Sequence, residues 1–254
     1  MPMDALPDYI DRRIRRPIPL DASVVAGSTP VVSFGNSRTA TVATLGLNPS
    51  RVEFLDRNGN ELAGDDRRLA THSSLGTANL AKTPTHVVAQ VLADCNDYFN
   101  RNPYRRWFDQ LEIVLNGCGT SYYNGTACHL DLVQWATDPT WGRLQSKLVR
   151  RQLLDADAAF LTEQLSSENI RLLLVNGSGV IRQLNRSLSI EFTEHDPIIG
   201  YGHHDTRLFT GTVSGGTHVV AWSTNLQSSF GVSTDLKTEL TTQVAALIPQ
   251  SIVA

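Results

Sequence analysis

Apolar residues along this chain follow two rhythms. Short continuous runs of β-branched residues or leucine stop abruptly at polar, glycine-containing segments, while longer stretches repeat their apolar positions at the helical period. Residues 40–47 (ATVATLGL), 126–133 (TACHLDLV) and 170–175 (IRLLLV) predict buried strands. Residues 206–222, TRLFTGTVSGGTHVVAW, break at Gly215-Gly216 and predict a hairpin. Helices are predicted over 85–99, with Thr85 a candidate N-cap, and over 104–116, 146–166, 180–188 and 235–248. On the long helix, Asp155 and Asp157 are assigned to the solvent surface. Strands alternating with helices predict an α/β unit. The expectation is a single domain over 1–254 with three α/β/α layers around a mostly parallel central sheet of about four strands, plus the hairpin in its C-terminal half. Residues 1–30 would form an N-terminal arm. Residues 55–80, which contain Asn58-Gly59-Asn60 and Asp65-Asp66, would form an insertion or lid.

Composition narrows the class. The chain has 254 residues, 41% of them hydrophobic, enough for a substantial core. No apolar run reaches the length of a membrane span, and the N-terminal segment lacks the apolar stretch of a signal peptide. A soluble cytoplasmic protein without a membrane partner is expected. The three cysteines, Cys95, Cys118 and Cys128, show no zinc spacing and are too few for a four-thiolate iron–sulfur cluster, so they read as buried free thiols. No metal or other cofactor is expected.

The formal charge is −3, from 22 Lys+Arg against 25 Asp+Glu, which is not the footprint of a strongly basic nucleic-acid binder. Basic residues do cluster locally, at Arg12, Arg13, Arg15 and Arg16, at Arg101, Arg105 and Arg106, and at Arg143, Lys147, Arg150 and Arg151. Each cluster reads first as a solvated face and second as part of a positive groove.

The candidate chemistry lies where the strands end, because ligands of open α/β sheets bind beyond the carboxyl ends of the strands. The first strand runs into Gly46-Leu47-Asn48-Pro49-Ser50, where Pro49 fixes its own φ and pushes Asn48 towards extended backbone. The second carries Leu130-Asp131-Leu132-Val133, the third stops at Asn176-Gly177-Ser178, and the last is followed by Asn225-Leu226-Gln227-Ser228-Ser229. The aromatic candidates for stacking on a ligand are Phe54, Tyr122, Tyr123, Trp135 and Trp141. His203-His204-Asp205 reads as a loop rather than a metal site, since neighbouring side chains on an extended segment point to opposite faces.

These strand-end motifs, in this order, resemble those of the uracil-DNA glycosylase superfamily, especially the mismatch-specific Gly-x-Asn-Pro branch. The resemblance spans roughly residues 40–245 and implies that superfamily's fold. It also implies a monofunctional DNA glycosylase, a hydrolase that flips a base from DNA, cuts its N-glycosidic bond and leaves an abasic site. Asn48 would position the attacking water and Asn225 would assist departure of the base. Gly46, Leu47, Pro49, Phe54, Asp131 and Gln227 would line the base pocket. Ser50, Ser228 and Ser229 would contact the DNA backbone, with Phe230 filling the vacated stack. Leu226 and Gln227 depart from the superfamily's Pro-Ser step. So does Asp131, which stands where uracil-reading members place Asn. An ionised carboxylate only accepts hydrogen bonds, so it suits an exocyclic amine and disfavours the O4 of uracil. A modified cytosine, excised in defence against foreign DNA, follows as the target. Asp131 as a base for the water, or paired with an arginine, stays open. The expected partner is DNA, bound by a monomer. Two alternatives remain: a catalytically silent nucleic-acid-binding domain of the same fold, and a nucleoside or nucleotide N-glycosidase.

Overall fold

The computed structural model describes residues 6–200, 205–227 and 232–253. They form an α/β protein with seven α-helices and six strands among the described residues, gathered in two compact units. The first unit draws on Met1–Gly35, Leu47–Pro103 and Asp131–Gln164. The second draws on Asn36–Gly46, Tyr104–Leu130 and Leu165–Ala254.

The second unit holds the sheet. Its strands are β1 (Val42–Gly46), β2 (Ala127–Asp131), β3 (Leu172–Asn176), β4 (Thr193–Ile198), β5 (Thr206–Thr212) and β6 (His218–Trp222), in the order β2-β1-β3-β6-β5-β4. β3 runs parallel to both β1 and β6, with Leu45 opposite Val175 and Asn176 opposite Trp222. Bonds from Thr41 N to Thr126 O and from Val133 N to Leu47 O show that β2 runs the same way as β1. Every residue of β2 and β3 is buried, as is nearly all of β1 and β6. Parallel strands covered on both faces read as unbroken apolar runs, and for that reason their sequences betray them.

The sheet has six strands where about four were expected. The hairpin β5–β6 turns at Gly215-Gly216 as predicted, but β6 joins the parallel strands while β5 and then β4 add antiparallel to the edge. β4, TEHDPI, is mostly exposed, carries a proline, and shifts register between His195 and Ile198, all features of an edge strand.

The helices of this unit are α3 (Arg105–Gly117), α5 (Ser178–Leu188), α6 (Thr234–Ala246) and α7 (Gln250–Val253). α5 packs on β3 and β6, and α3 packs against α6. A Cβ at Gly117 would fall 1.9 Å from Thr241 Cγ2, so only glycine permits that approach.

The first unit holds α1 (Asp8–Arg15), α2 (Thr85–Asn96) and most of α4 (Lys147–Ser167). α2 starts at Thr85, but its cap position is Pro84 and no side chain caps it, so the predicted Thr85 cap is not used. The N-terminal segment is integral to this unit's core. Ile10 and Ile14, one helical turn apart on α1, are fully buried. Asp157 of α4 is also fully buried, not on the surface as its polarity suggested, whereas Asp155 is exposed. Asp157 receives Arg13 Nη2 at 2.9 Å and Arg16 Nη1 at 3.2 Å. The first basic cluster is therefore divided: Arg13 is fully buried on Asp157, Arg15 and Arg16 are partly buried on Asp11 and Asp157, and Arg12 lies on the exposed face, paired with Glu163. The three cysteines are free and buried, as expected. Among the described residues, no helix is long and apolar enough to cross a membrane.

Candidate functional site

In the first unit, the chain leaving β1 runs alongside the chain leaving β2. Val133 N donates to Leu47 O at 3.0 Å, and Ser50 bridges in parallel to Thr137. Between these ties lies Asn48. Its Nδ2 donates to Trp135 O and to Pro49 O, each at 3.0 Å, with Thr137 Oγ1 at 3.3 Å. Carbonyl acceptors on that side fix which end of the amide carries the nitrogen. Asn48 Oδ1 carries no hydrogen bond among the described residues, and the side chain is half-buried. It is thus a rigid acceptor with a free lone pair, at the end of a buried strand.

Around it, Pro49 is buried while Gly46 and Leu47 are half-buried. Ser50 caps the short 3-10 turn Arg51–Glu53, accepting from Val52 N. Phe54 is 1% exposed and belongs to the core, so its ring faces are covered by protein instead of being open to a base. Trp135 is likewise buried, under the guanidinium of Arg13 at 5.0 Å.

Sequence reasoning missed Glu53. Ser50-Arg51-Val52-Glu53 has the spacing of a capping box, and the turn forms as that spacing implies. The Glu53 carboxyl does not return to the cap. It is buried, and Oε2 accepts from Tyr98 Oη at 2.6 Å. Loss of water pushes its pKa up to about 7, opposed by the Tyr98 hydrogen bond and the charge of Arg68, with Asp131 adding a smaller push upwards. Asp131, at the end of β2, is 5% exposed, and its backbone oxygen accepts from Gln134 Nε2 at 2.6 Å.

In the second unit, Asn176 organises the segment after β6. It is buried and uses its whole hydrogen-bonding capacity. Oδ1 accepts from Trp222 Nε1 at 2.9 Å and Leu226 N at 3.0 Å. Nδ2 donates to Asn225 Oδ1 at 3.1 Å and Gln227 Oε1 at 2.8 Å. Gln227 N also donates to Asn225 Oδ1, at 3.0 Å. Asn225 is exposed, and its Nδ2 carries no hydrogen bond among the described residues. Its amide thus presents a donor, fixed through its other end. Gly177, at φ +98°, lets the backbone pass close by: a Cβ there would sit 3.3 Å from Asn225 Cβ. Asn176 was visible as a strand end; its role emerges only from the four bonds. Tyr122, a candidate for stacking, is 2% exposed and bonded to the Thr44 hydroxyl, which also meets His129 Nδ1 at 2.6 Å. Ser228, Ser229, Phe230, His203 and His204 lie outside the described residues.

Asn176→Ala should strand Trp222 Nε1–H and the Leu226 amide, costing about 1–3 kcal/mol for each buried group left unpaired. Urea unfolding reads this. Asn176→Asp keeps both of those bonds and should instead loosen Asn225 and Gln227, seen as faster amide exchange over 223–227.

Among the described residues, no three His, Cys, Asp or Glu side chains come together to hold a metal ion. No family model matches the chain, and no curated protein matches it in sequence.

Proposed function

We propose that this protein is a monofunctional DNA glycosylase of the uracil-DNA glycosylase type, built as three α/β/α layers and acting on a base flipped from DNA. The observation that carries the reading is the Asn48 amide. Its nitrogen is tied to Trp135 O, Pro49 O and Thr137, and its oxygen is left to accept from a water. Rupture of an N-glycosidic bond creates a sugar cation that is already a strong electrophile, so water needs placement more than deprotonation. A neutral, immobile amide serves that need. The departing base takes the bond's electron pair, and donors aimed at it lower the barrier. The resemblance gives that role to Asn225, whose Nδ2 carries no hydrogen bond among the described residues. Asp131 is the group assigned to reading an exocyclic amine, which favours a cytosine-type base, modified so that host DNA is spared.

DNA is the partner implied. Arg143 and Lys147 are exposed and make no ion pair among the described residues, leaving them available for phosphates. Arg101 and Arg105, by contrast, pair with Asp94 and Asp109.

The test is a panel of single- and double-stranded oligonucleotides carrying uracil, mismatched bases and substituted cytosines, scored by alkaline cleavage at abasic sites. Cleavage of at least one member, with free nucleosides left intact, supports the reading. Release of base from free nucleosides alone would reassign the protein as a nucleoside hydrolase, and no release from any substrate would remove the enzymatic reading.

A further inference from the structure

We propose that a cavity of the first unit, walled by the end of α1 and by the turn Leu80–Lys82, binds a small carboxylate on Arg16 and Trp135. The site goes beyond the glycosylase reading and does not rest on it.

Every residue that lines this cavity belongs to the first unit. The space is about 200 Å³, below the ~300–1,000 Å³ of pockets for drug-sized ligands, so it suits a small molecule. Pro17, Ile18, Ala78, Leu80 and Ala81 supply apolar wall, and none of the lining residues is acidic. Arg15 also lines it, but its guanidinium is engaged by Asp11 and by the backbone oxygens of Leu80 and Thr83.

The remaining polar groups are donors. Asp157 alone answers both Arg13 and Arg16, which leaves one positive charge over, and of the two only Arg16 lines the cavity. Arg16 Nη1 is taken by Ala156 O and Asp157. Its Nε and Nη2, which share one edge of the guanidinium, carry no hydrogen bond among the described residues, and the side chain is 34% exposed. Such an edge takes a carboxylate through two parallel bonds. Trp135 is 2% exposed, and its indole N–H has no acceptor among the described residues. A buried donor left unpaired is costly, and a ligand that brings an acceptor relieves that cost.

Charge and wall together select the ligand class. One surplus positive charge matches a monoanion. A phosphate monoester carries up to two negative charges and would hold one unanswered against apolar walls. A carboxylate on a compact apolar body answers both features. Trp135 also holds the Asn48 amide through its backbone oxygen, so a single residue links the cavity to the candidate site.

The probe is benzoate, titrated into the isotope-labelled full chain and read from the assigned indole N–H resonance of Trp135. Saturable movement of that resonance at concentrations up to about 10 mM is the expected result, with no movement on adding benzamide, which has the same shape and no charge. Arg16→Gln should weaken benzoate binding about tenfold or more. Arg16→Lys keeps the charge but loses the paired donors, so it should also bind several-fold more weakly, and it serves if the Gln variant does not fold. Absence of saturable movement, equal binding of benzamide, or unchanged affinity in the Arg16 variants overturns the site. Inorganic phosphate bound more tightly than benzoate overturns the carboxylate class. None of these outcomes bears on the glycosylase reading, which the oligonucleotide panel decides.

Discussion

Replacing Asn48 with alanine should lower abasic-site formation by about 10²-fold or more while leaving oligonucleotide affinity nearly unchanged. The alanine removes the whole amide: the nitrogen that donates to Trp135 O, Pro49 O and Thr137 Oγ1, and with it the oxygen proposed to accept from a water. Single-turnover kinetics is the proper measurement, because slow product release can mask a loss in the chemical step. Asn48→Asp sharpens the test. Here the second carboxylate oxygen would face Trp135 O and Pro49 O, which now receive an N–H. Acceptor against acceptor in a half-buried position is unfavourable, so Asn48→Asp should recover little of the lost rate. Turnover of Asn48→Ala equal to the wild type would exclude Asn48 from the water site.

What could be read in the sequence follows from how each element is buried. β1, β2, β3 and β6 are covered on both faces and spell themselves out in unbroken apolar residues. β4 gives no such signal, because an exposed edge strand gains its place from backbone bonds to β5 and needs few apolar side chains. α1 was missed for a different reason. It is short and rich in charge, and its apolar face is little more than Tyr9, Ile10 and Ile14.

The candidate site divides along the same line. Asn48 stands out because Gly-x-Asn-Pro after a strand is a local pattern. Glu53 and Asn176 act through partners distant in sequence, Tyr98 for one and Trp222, Asn225 and Gln227 for the other. Periodicity assigns a charged residue to solvent by default. The default fails at Asp157 and Arg13 because each makes burial of the other tolerable.

Asp157→Ala should accordingly be the most destabilising single change in the first unit, by about 3–5 kcal/mol, since it leaves a buried guanidinium without its counter-charge. That is a large fraction of the ~5–15 kcal/mol that holds a typical domain folded. Arg13 and Asp157 are both inaccessible to water, so solvent does not screen the loss. Burial already lowers the pKa of Arg13, and Asp157 is the partner that opposes this. The effect reaches further than the ion pair. Asp157 Oδ2 also accepts from the backbone N of Gln134 at 2.9 Å, and Arg13 Nε donates to Gln134 Oε1 at 3.1 Å. The next residues, Trp135 and Thr137, are those that hold the Asn48 amide. Urea unfolding should therefore show the stability loss, and amide exchange should show the 134–137 segment opening with it. Replacing both partners by apolar residues, Arg13→Met with Asp157→Leu, should recover much of the stability, because the desolvation penalty disappears together with the attraction. The Gln134 anchor stays missing in that double variant, so turnover should remain low after stability returns. Full recovery of turnover along with stability would show that the ion pair serves the fold alone and has no part in holding Asn48.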